Sequence, residues 1–382
     1  MGEFVGPIAT GENEYESLAL QLRAIGGDNF EAVSFMGGLP GQKKHQPNMT
    51  NMIGRRSGDF LVLSGGPWAI FVEQDHCLII DRTGKQLGRL ERVQRTSPTM
   101  GAQPPQDAIV IFDGKNIDQF TNAQMTKDGL LMEGADFKPM FQDFNMHVEF
   151  KIPYMPQAQG QQRGNSGLYL QSRYECQVLD SFGLDRLING LGALYQFKKP
   201  DVNMALPPLT WQTYDIQFTA PRWAADGTKV RNAHVTSWIN GVKVQDNVSL
   251  PNKTGAGKQE EPLLLPTKIQ NHGDPVRFRN IWVVDRGLTV SKFPVYPQQE
   301  TAQPKTESKK PEPKQAEPQK PEPKQAEAKP AAAKQVAADK DQEKKPAEKT
   351  EAPQAEPGKE APQQQEEKKS DPTAEETATD KK

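Results

Sequence analysis

Only two cysteines occur in 382 residues, Cys77 and Cys176, each alone inside an apolar, strand-like pattern. That argues against a disulfide-stapled scaffold and a cysteine zinc site, and leaves two buried thiols as the expectation. No apolar run approaches the roughly 18 residues a membrane helix needs, so no transmembrane segment is expected. Neither sign of charge dominates, with 47 Lys and Arg against 49 Asp and Glu. No basic footprint for nucleic acid stands out. The first residues, Met1-Gly2-Glu3-Phe4-Val5, lack a charged stretch followed by an apolar one, and no signal peptide is visible.

Aromatic residues stop at Tyr296, and beyond it the only branched aliphatic is Val336. Such a composition cannot bury enough apolar surface to offset the entropy of ordering. Residues 291–382 are therefore expected to be a disordered tail. Within it the block Lys-Pro-Glu-Pro-Lys-Gln-Ala-Glu starting at Lys310 recurs at Lys320. Proline extends it and alternating charge solvates it, as in a semi-rigid spacer.

The remainder reads as β structure. Over residues 1–94, short apolar runs alternate with turn chemistry such as Gly26-Gly27-Asp28-Asn29 and Asp81-Arg82-Thr83-Gly84, which predicts a small antiparallel β-domain. Its histidines His45 and His76 stand isolated and suggest no site. Residues 95–107, with Ser97-Pro98, Gly101 and Pro104-Pro105, have the composition of a linker. A second domain is expected over 108–290. Its clearest strand puts Phe144, Met146, Val148, Phe150 and Ile152 on one face and Asn145, His147, Glu149 and Lys151 on the other. That pattern predicts one buried and one wet face. Asn240-Gly241 marks a two-residue hairpin turn, and residues 191–195 read as another short strand. No segment holds a helical period beyond two turns, so the chain is read as all-β, with a two-sheet sandwich of jelly-roll type.

The stretch most suggestive of chemistry is Arg163-Gly164-Asn165-Ser166-Gly167-Leu168-Tyr169-Leu170 followed by Tyr174-Glu175-Cys176-Gln177-Val178-Leu179-Asp180. A period of two places Glu175 and Gln177 on one face, roughly 7 Å apart, with Cys176 and Val178 turned to the core. Strict alternation would bury Asp180, so a bulge or strand end after Val178 is expected to return it beside Gln177.

Seven segments, Phe112-Asp113-Gly114-Lys115-Asn116, Gly164 to Leu170, Tyr174 to Asp180, Gly192-Ala193-Leu194-Tyr195, Trp211 with Tyr214, Ile239-Asn240-Gly241, and Ile269-Gln270-Asn271-His272-Gly273 with Val276-Arg277-Phe278, follow the order found in the 3-keto-disaccharide hydrolase domain family. The chain resembles that family over about residues 108–285. The first domain resembles a β-rich segment preceding it in some planctomycete-like relatives. The resemblance implies a concanavalin-like jelly roll, a carbohydrate substrate, and a setting outside the cytoplasm, periplasmic or secreted. Glu175-x-Gln177-x-x-Asp180 also resembles the acidic strand of laminarinase-type glucanases, with the middle acid replaced by an amide, which puts double displacement in doubt.

Family chemistry implies a base that removes the C2 proton of a sugar carrying a ketone at C3, followed by departure of the group at C1. In that reading Glu175 or Asp180 is the base and His272 the acid or enolate donor. Asn165, Arg173, Gln177, Gln270 and Arg277 bind the sugar, and Tyr169, Tyr195 and Trp211 stack on it. A divalent cation on Glu175, Asp180 and His272 would polarise the ketone, but no His-x-x-x-His or cysteine pair backs it, and no metal ligand is assigned. Two other classes stay open: a lectin-like binding module without catalysis, and a cell-surface protein whose tail spans a wall. The oligomeric state is not legible.

Overall fold

Eight antiparallel strands close on themselves at the start of the chain. They are β1 (Gly2–Gly11), β2 (Glu14–Ala24), β3 (Asn29–Met36), β4 (Met49–Ser57), β5 (Phe60–Ser64), β6 (Ala69–Val72), β7 (His76–Ile80) and β8 (Gln86–Val93). Each pairs with the next, and β1 pairs with β8, so the sheet has no free edge. Phe4, Ile8, Leu20, Leu22, Leu63, Ile70, Cys77, Ile79 and Leu90 point inward and fill the lumen with packed apolar side chains. The apolar runs of the sequence, 18–25, 30–36, 60–63, 68–72, 77–80 and 86–93, fall at β2, β3 and β5 to β8, whereas β1 and β4 have no such run. β1 carries Gly2, Gly6, Pro7 and Gly11, which read as punctuation. Gly6 is needed where strands converge, because a Cβ there would stand 2.1 Å from the Arg89 carbonyl oxygen.

This computed structural model describes residues 1–46 and 48–287, so the expected tail, 291–382, lies outside the described residues. After the barrel come β9 (Ile109–Phe112), β10 (Phe120–Thr121), β11 (Leu131–Met132), β12 (Ala135–Phe137), β13 (Phe144–Lys151), β14 (Ser166–Leu170) and β15 (Tyr174–Val178). They are followed by β16 (Trp211–Thr219), the short hairpin β17 (Arg222–Trp223) and β18 (Lys229–Arg231), then β19 (Ala233–Ile239), β20 (Val242–Leu250), β21 (Lys268–Ile269) and β22 (Arg277–Asp285). One sheet has the order β10-β12-β21-β14-β15, and the other runs β11-β22-β13-β16-β19-β20 with β9 also on β22. The only helix among the described residues is a 3-10 turn, Gly160–Gln162. The chain is all-β, as its pattern requires, and no helix among the described residues is long and apolar enough to cross a membrane.

The two sheets share one core. Leu168, Leu170, Tyr174, Cys176 and Val178 from the smaller sheet meet Phe144, Met146, Val148, Phe150, Tyr214, Ile216 and Phe218 from the larger. Asn240 and Gly241 turn the β19–β20 hairpin with φ of 49° and 80°, the left-handed pair that a two-residue loop needs. Residues 191–195 are not a strand. They lie irregularly along the edge of β15, bonded through Gly192 N to Gln177 O, Gln177 N to Ala193 O, and Tyr195 N to Glu175 O.

The expected wet face of β13 is dry. His147 is fully buried and Glu149 nearly so, because residues 97–102 cross that face as a strap. Thr99 Oγ1 donates to Asp215 Oδ2 at 2.8 Å, Gly101 N to Glu149 Oε1 at 2.7 Å, and the Ala102 carbonyl accepts from Asn280 Nδ2. Beneath the strap, His147 Nδ1 lies 2.6 Å from Asp215 Oδ1 and its Nε2 lies 3.7 Å from Glu149 Oε1. Burial opposes the charge on His147, yet bonds to Asp215 and Glu149 outweigh it and lift the pKa to about 9. Burial likewise opposes the Glu149 charge, but bonds from His147, Asn280 and Arg279 draw its pKa down to about 2. A period-two pattern cannot show a covering segment that is distant in sequence.

A buried imidazolium raised from about 6.5 to about 9 stabilises the fold fully below pH 6.5 and loses that contribution as pH climbs through 9. Replacing His147 with Ala leaves the buried Asp215 carboxylate without its cation, at a cost of about 3–5 kcal/mol, while Glu149 keeps Arg279. Urea unfolding at pH 6 and pH 9.5 checks this. The variant should be destabilised strongly at pH 6 and much less at pH 9.5; an equal loss at both would contradict the charged state.

Candidate active site

The smaller sheet turns Tyr169, Glu175 and Gln177 away from the core. Tyr169 lies directly opposite Glu175, and Gly167 opposite Gln177, across the β14–β15 ladder. Two glycines open space around the carboxylate. A Cβ on Gly167 would stand 2.9 Å from Glu175 Oε1 and 3.2 Å from Gln270 Oε1, while one on Gly255 would stand 2.4 Å from Glu175 Oε2 and 2.7 Å from Tyr195 Cδ1. Glu175 and Gln270 therefore converge over Gly167, and Tyr195 closes the other side.

The loop carrying Gly255 is fastened over β15. Thr254 Oγ1 accepts from the Glu175 N–H at 2.7 Å, and Thr254 and Lys258 N–H groups donate to the Arg173 and Ser172 carbonyls. This cover leaves Glu175 2% exposed. Burial raises its pKa from 4.5 to about 7, against a weaker pull from the Tyr169 hydroxyl bonded to it. Burial, and then the carboxylate, push the Tyr169 phenol well above its ordinary value, so it stays protonated.

Bond direction fixes the amide beside them. Tyr169 gives its proton to Glu175, so its oxygen can only accept from Gln270 Nε2, 3.4 Å away. Gln270 Oε1 is thereby left over Gly167, buried and without a donor among the described residues. The sequence placed Gln270 in this site; it could not show the order of donors. Asn165 carries a second such acceptor: its Nδ2 donates to Gln161 O at 2.7 Å, and its Oδ1 has no partner.

Several expected site residues serve elsewhere. Asp180 does not return beside Gln177, because β15 ends at Val178 and its carboxylate binds Arg163 Nε at 2.6 Å and Phe182 N at 3.3 Å. A buried carboxylate so engaged is a structural anion, not a base. Arg173, 1% exposed, holds the covering loop through the Gln259 and Glu261 carbonyls. Gln177 is fully buried and bonded to Gln161 Oε1 and the Asn189 carbonyl, so it braces the site instead of meeting a ligand. Trp211 and Arg277 sit on the outer face of the other sheet, paired with Lys151 across the ladder, with the whole sandwich between them and Glu175. There Arg279 stacks 4.0 Å over the Trp211 ring and Arg277 pairs with Glu133 at 2.7 Å. Periodicity assigns a face within one strand; it cannot say on which sheet that face lies.

His272 is exposed at the tip of the Asn271–Gly273 turn, and its ring makes no hydrogen bond among the described residues. The flanking residues do border the site: Gln270 N donates to Gly167 O at 2.8 Å, and Asp274 Oδ2 accepts from Asn165 N at 2.7 Å. Among the described residues no group of three His, Cys, Asp or Glu is arranged to hold a metal. With Asp180 bound to Arg163, the trio Glu175, Asp180 and His272 is not a ligand set.

Residues 107–284 match the sequence model of the 3-keto-alpha-glucoside-1,2-lyase-like domain. Over 47% of this chain and 84% of the other, the protein is 33% identical to a candidate glycosyl hydrolase from Parabacteroides distasonis, with a TM-score of 0.44. The chain belongs to the 3-keto-alpha-glucoside-1,2-lyase-like family. A second candidate glycosyl hydrolase of that organism is 19% identical over 47% of this chain and 94% of its own, with a TM-score of 0.34. No curated protein matches. The family domain holds Glu175, Tyr169 and Gln270, whereas the barrel and strap precede it.

A carboxyl whose pKa is raised by folding holds a proton that the unfolded chain releases between about pH 4.5 and 7, so native stability falls as pH rises through that window. Glu175→Gln should therefore stabilise the protein above pH 7, by up to about 3 kcal/mol, and little at pH 4.5. Denaturant unfolding of both proteins at pH 4.5 and 8 tests this. The same difference at both pH values would mean that Glu175 titrates as an ordinary carboxylate.

Proposed function

We propose that this protein cleaves glycosides whose sugar carries a ketone at C3, with Glu175 as the general base. The observation that carries the reading is a carboxylate whose pKa burial lifts to about 7, on the polar face of the sheet and beside an unpaired acceptor. A base works best when its pKa lies near the working pH, where it is deprotonated yet still basic. The C3 ketone acidifies the hydrogen at C2. Glu175 takes that proton, the electron pair passes through the C2 enolate into a C1–C2 double bond, and the C1–oxygen bond breaks. The leaving oxygen gains a proton, and water adding back at C1 makes the net result hydrolysis.

Tyr169 supplies the next part. Once Glu175 holds the proton it no longer needs the Tyr169 donor, and the phenol hydrogen is released toward the enolate oxygen. Gln270 Oε1 accepts from a sugar hydroxyl, and Tyr195 offers a ring edge to the substrate. Asn165 Oδ1 is a second hydroxyl acceptor at the rim, and His272 is the remaining candidate to protonate the leaving group. The family resemblance is what favours a secreted or periplasmic enzyme; the two buried free thiols, Cys77 and Cys176, are compatible with either compartment. A lectin built on the same face would gain nothing from holding a carboxylate out of water.

Turnover of a 3-keto-glucoside should fall about 10²–10⁴-fold in Glu175→Gln. The wild-type rate should rise with pH to a plateau, with a midpoint near 7. Tyr169→Phe removes a bond that favours the carboxylate, so its midpoint should move upward. Unchanged turnover in Glu175→Gln would remove the assignment.

A further inference from the structure

Arg163 is 1% exposed and joins three parts of the molecule. Its Nε donates to Asp180 Oδ2 at 2.6 Å, and Nη1 donates to the Ala24 carbonyl at the end of β2 in the barrel, at 3.0 Å. The same Nη1 lies 3.3 Å from Pro156 O and 3.5 Å from Ala158 O in the loop before it. The Arg163 carbonyl in turn accepts from Asp180 N. Beside it Arg23, the penultimate residue of β2, reaches the Phe182 carbonyl at 3.4 Å and lies against Gly183, where a Cβ would stand 3.3 Å from its Cδ. Of the two buried guanidiniums, Arg163 pairs with the buried Asp180 and Arg23 lies 3.8 Å from the Glu31 carboxylate at the edge. Arg23 Nε and Arg163 Nη2 make no hydrogen bond among the described residues. Charge alone does not hold this joint. It depends on carbonyls from both sides, whose angular demands are met only when the barrel is seated.

The loop that Arg163 anchors is the rim of the site. Gly164 leaves no room for a side chain, since a Cβ there would meet Ile152 Cγ2 at 2.5 Å. The next residue, Asn165, binds Asp274 through its N–H, and Asp274 closes the turn that begins at Gln270. Gln161 on the same loop receives Gln177 Nε2 beside β15. Hydrogen bonds and short stretches of chain therefore link the barrel, through Arg163, to Asn165, and on through Asp274 to the turn that follows Gln270, the two residues with unpaired acceptors being Asn165 and Gln270.

We propose that Arg163 is a positioning residue and that the barrel, through Ala24 and Arg23, sets the geometry of the substrate-binding rim. The barrel is on this account a working part of the active site. The proposal rests on the reading of Glu175 and its neighbours as a sugar-cleaving site, but its test does not depend on turnover. Arg163→Lys keeps a charge for Asp180 but lacks the fork that reaches Asp180 and Ala24 together. Arg23→Met alters the joint from the barrel side, and serves if the first variant folds poorly.

Hydrogen exchange is followed in the full chain. Exchange at the Asn165 and Gln270 amides should rise at least tenfold in each variant, while the amides of β13 and of β6 keep wild-type protection. With a 3-keto-glucoside, KM should rise at least fivefold, with kcat within twofold and the pH midpoint unmoved, because Glu175 keeps its own surroundings. Unchanged exchange at Asn165 and Gln270 in both variants overturns the positioning role, whatever the activity. Raised exchange in a protein that turns over no 3-keto-glucoside even as wild type would uphold the positioning role and refute the sugar chemistry.

Discussion

Removing Glu175 from water is the constraint on which the rest of the site depends. Burying a carboxylate destabilises its charged form, and the protein offsets only part of that penalty with one phenol donor from the facing strand. The architecture around it is what makes the burial possible. A covering loop fastened by Thr254 and Arg173 excludes solvent, while Gly167 and Gly255 keep the carboxylate oxygens clear of neighbouring side chains. A carboxylate with several donors would have an ordinary or lowered pKa and would be a poor base at neutral pH. Five residues on, the Asp180 carboxylate is bound instead by the buried Arg163.

The two faces of the sandwich solve opposite problems with polar groups. Under the strap, each carboxylate has a cation and a donor within reach: His147 Nδ1 and Thr99 serve Asp215, and Arg279, Asn280 and Gly101 N serve Glu149. Those bonds hold the strap to the sheet. Around Glu175 the network is left open on one side, because Gln270 gives its N–H to Tyr169 and keeps its carbonyl free. Buried polar groups are nearly always paired in native proteins, and the unpaired Gln270 acceptor beside a raised carboxyl is what the proposed sugar contact rests on.

Much of this was legible in the amino-acid order. Alternation in Phe144–Lys151 and Tyr174–Val178 gave the correct core faces, Asn240-Gly241 gave the hairpin, and Glu175 was singled out by the strand that carries it. What was not legible depends on distant chain segments meeting. The strap made the outer face of β13 dry, Arg163 claimed Asp180, and Trp211 and Arg277 proved to lie behind the opposite sheet. Strand β1 escaped because its glycines and proline, which serve close strand approach, look like turn residues. In each case the local pattern was real, and a tertiary contact decided its meaning.

The central claim is that bond cleavage begins with loss of the hydrogen at C2 to Glu175. Its most direct test is turnover of a 3-keto-glucoside in deuterated water, with the sugar product examined by mass spectrometry and NMR. Proton abstraction followed by elimination and hydration predicts one solvent deuteron at C2, incorporated only when Glu175 is present. Cleavage that leaves the original hydrogen at C2 would contradict the account and return the site to conventional displacement at C1.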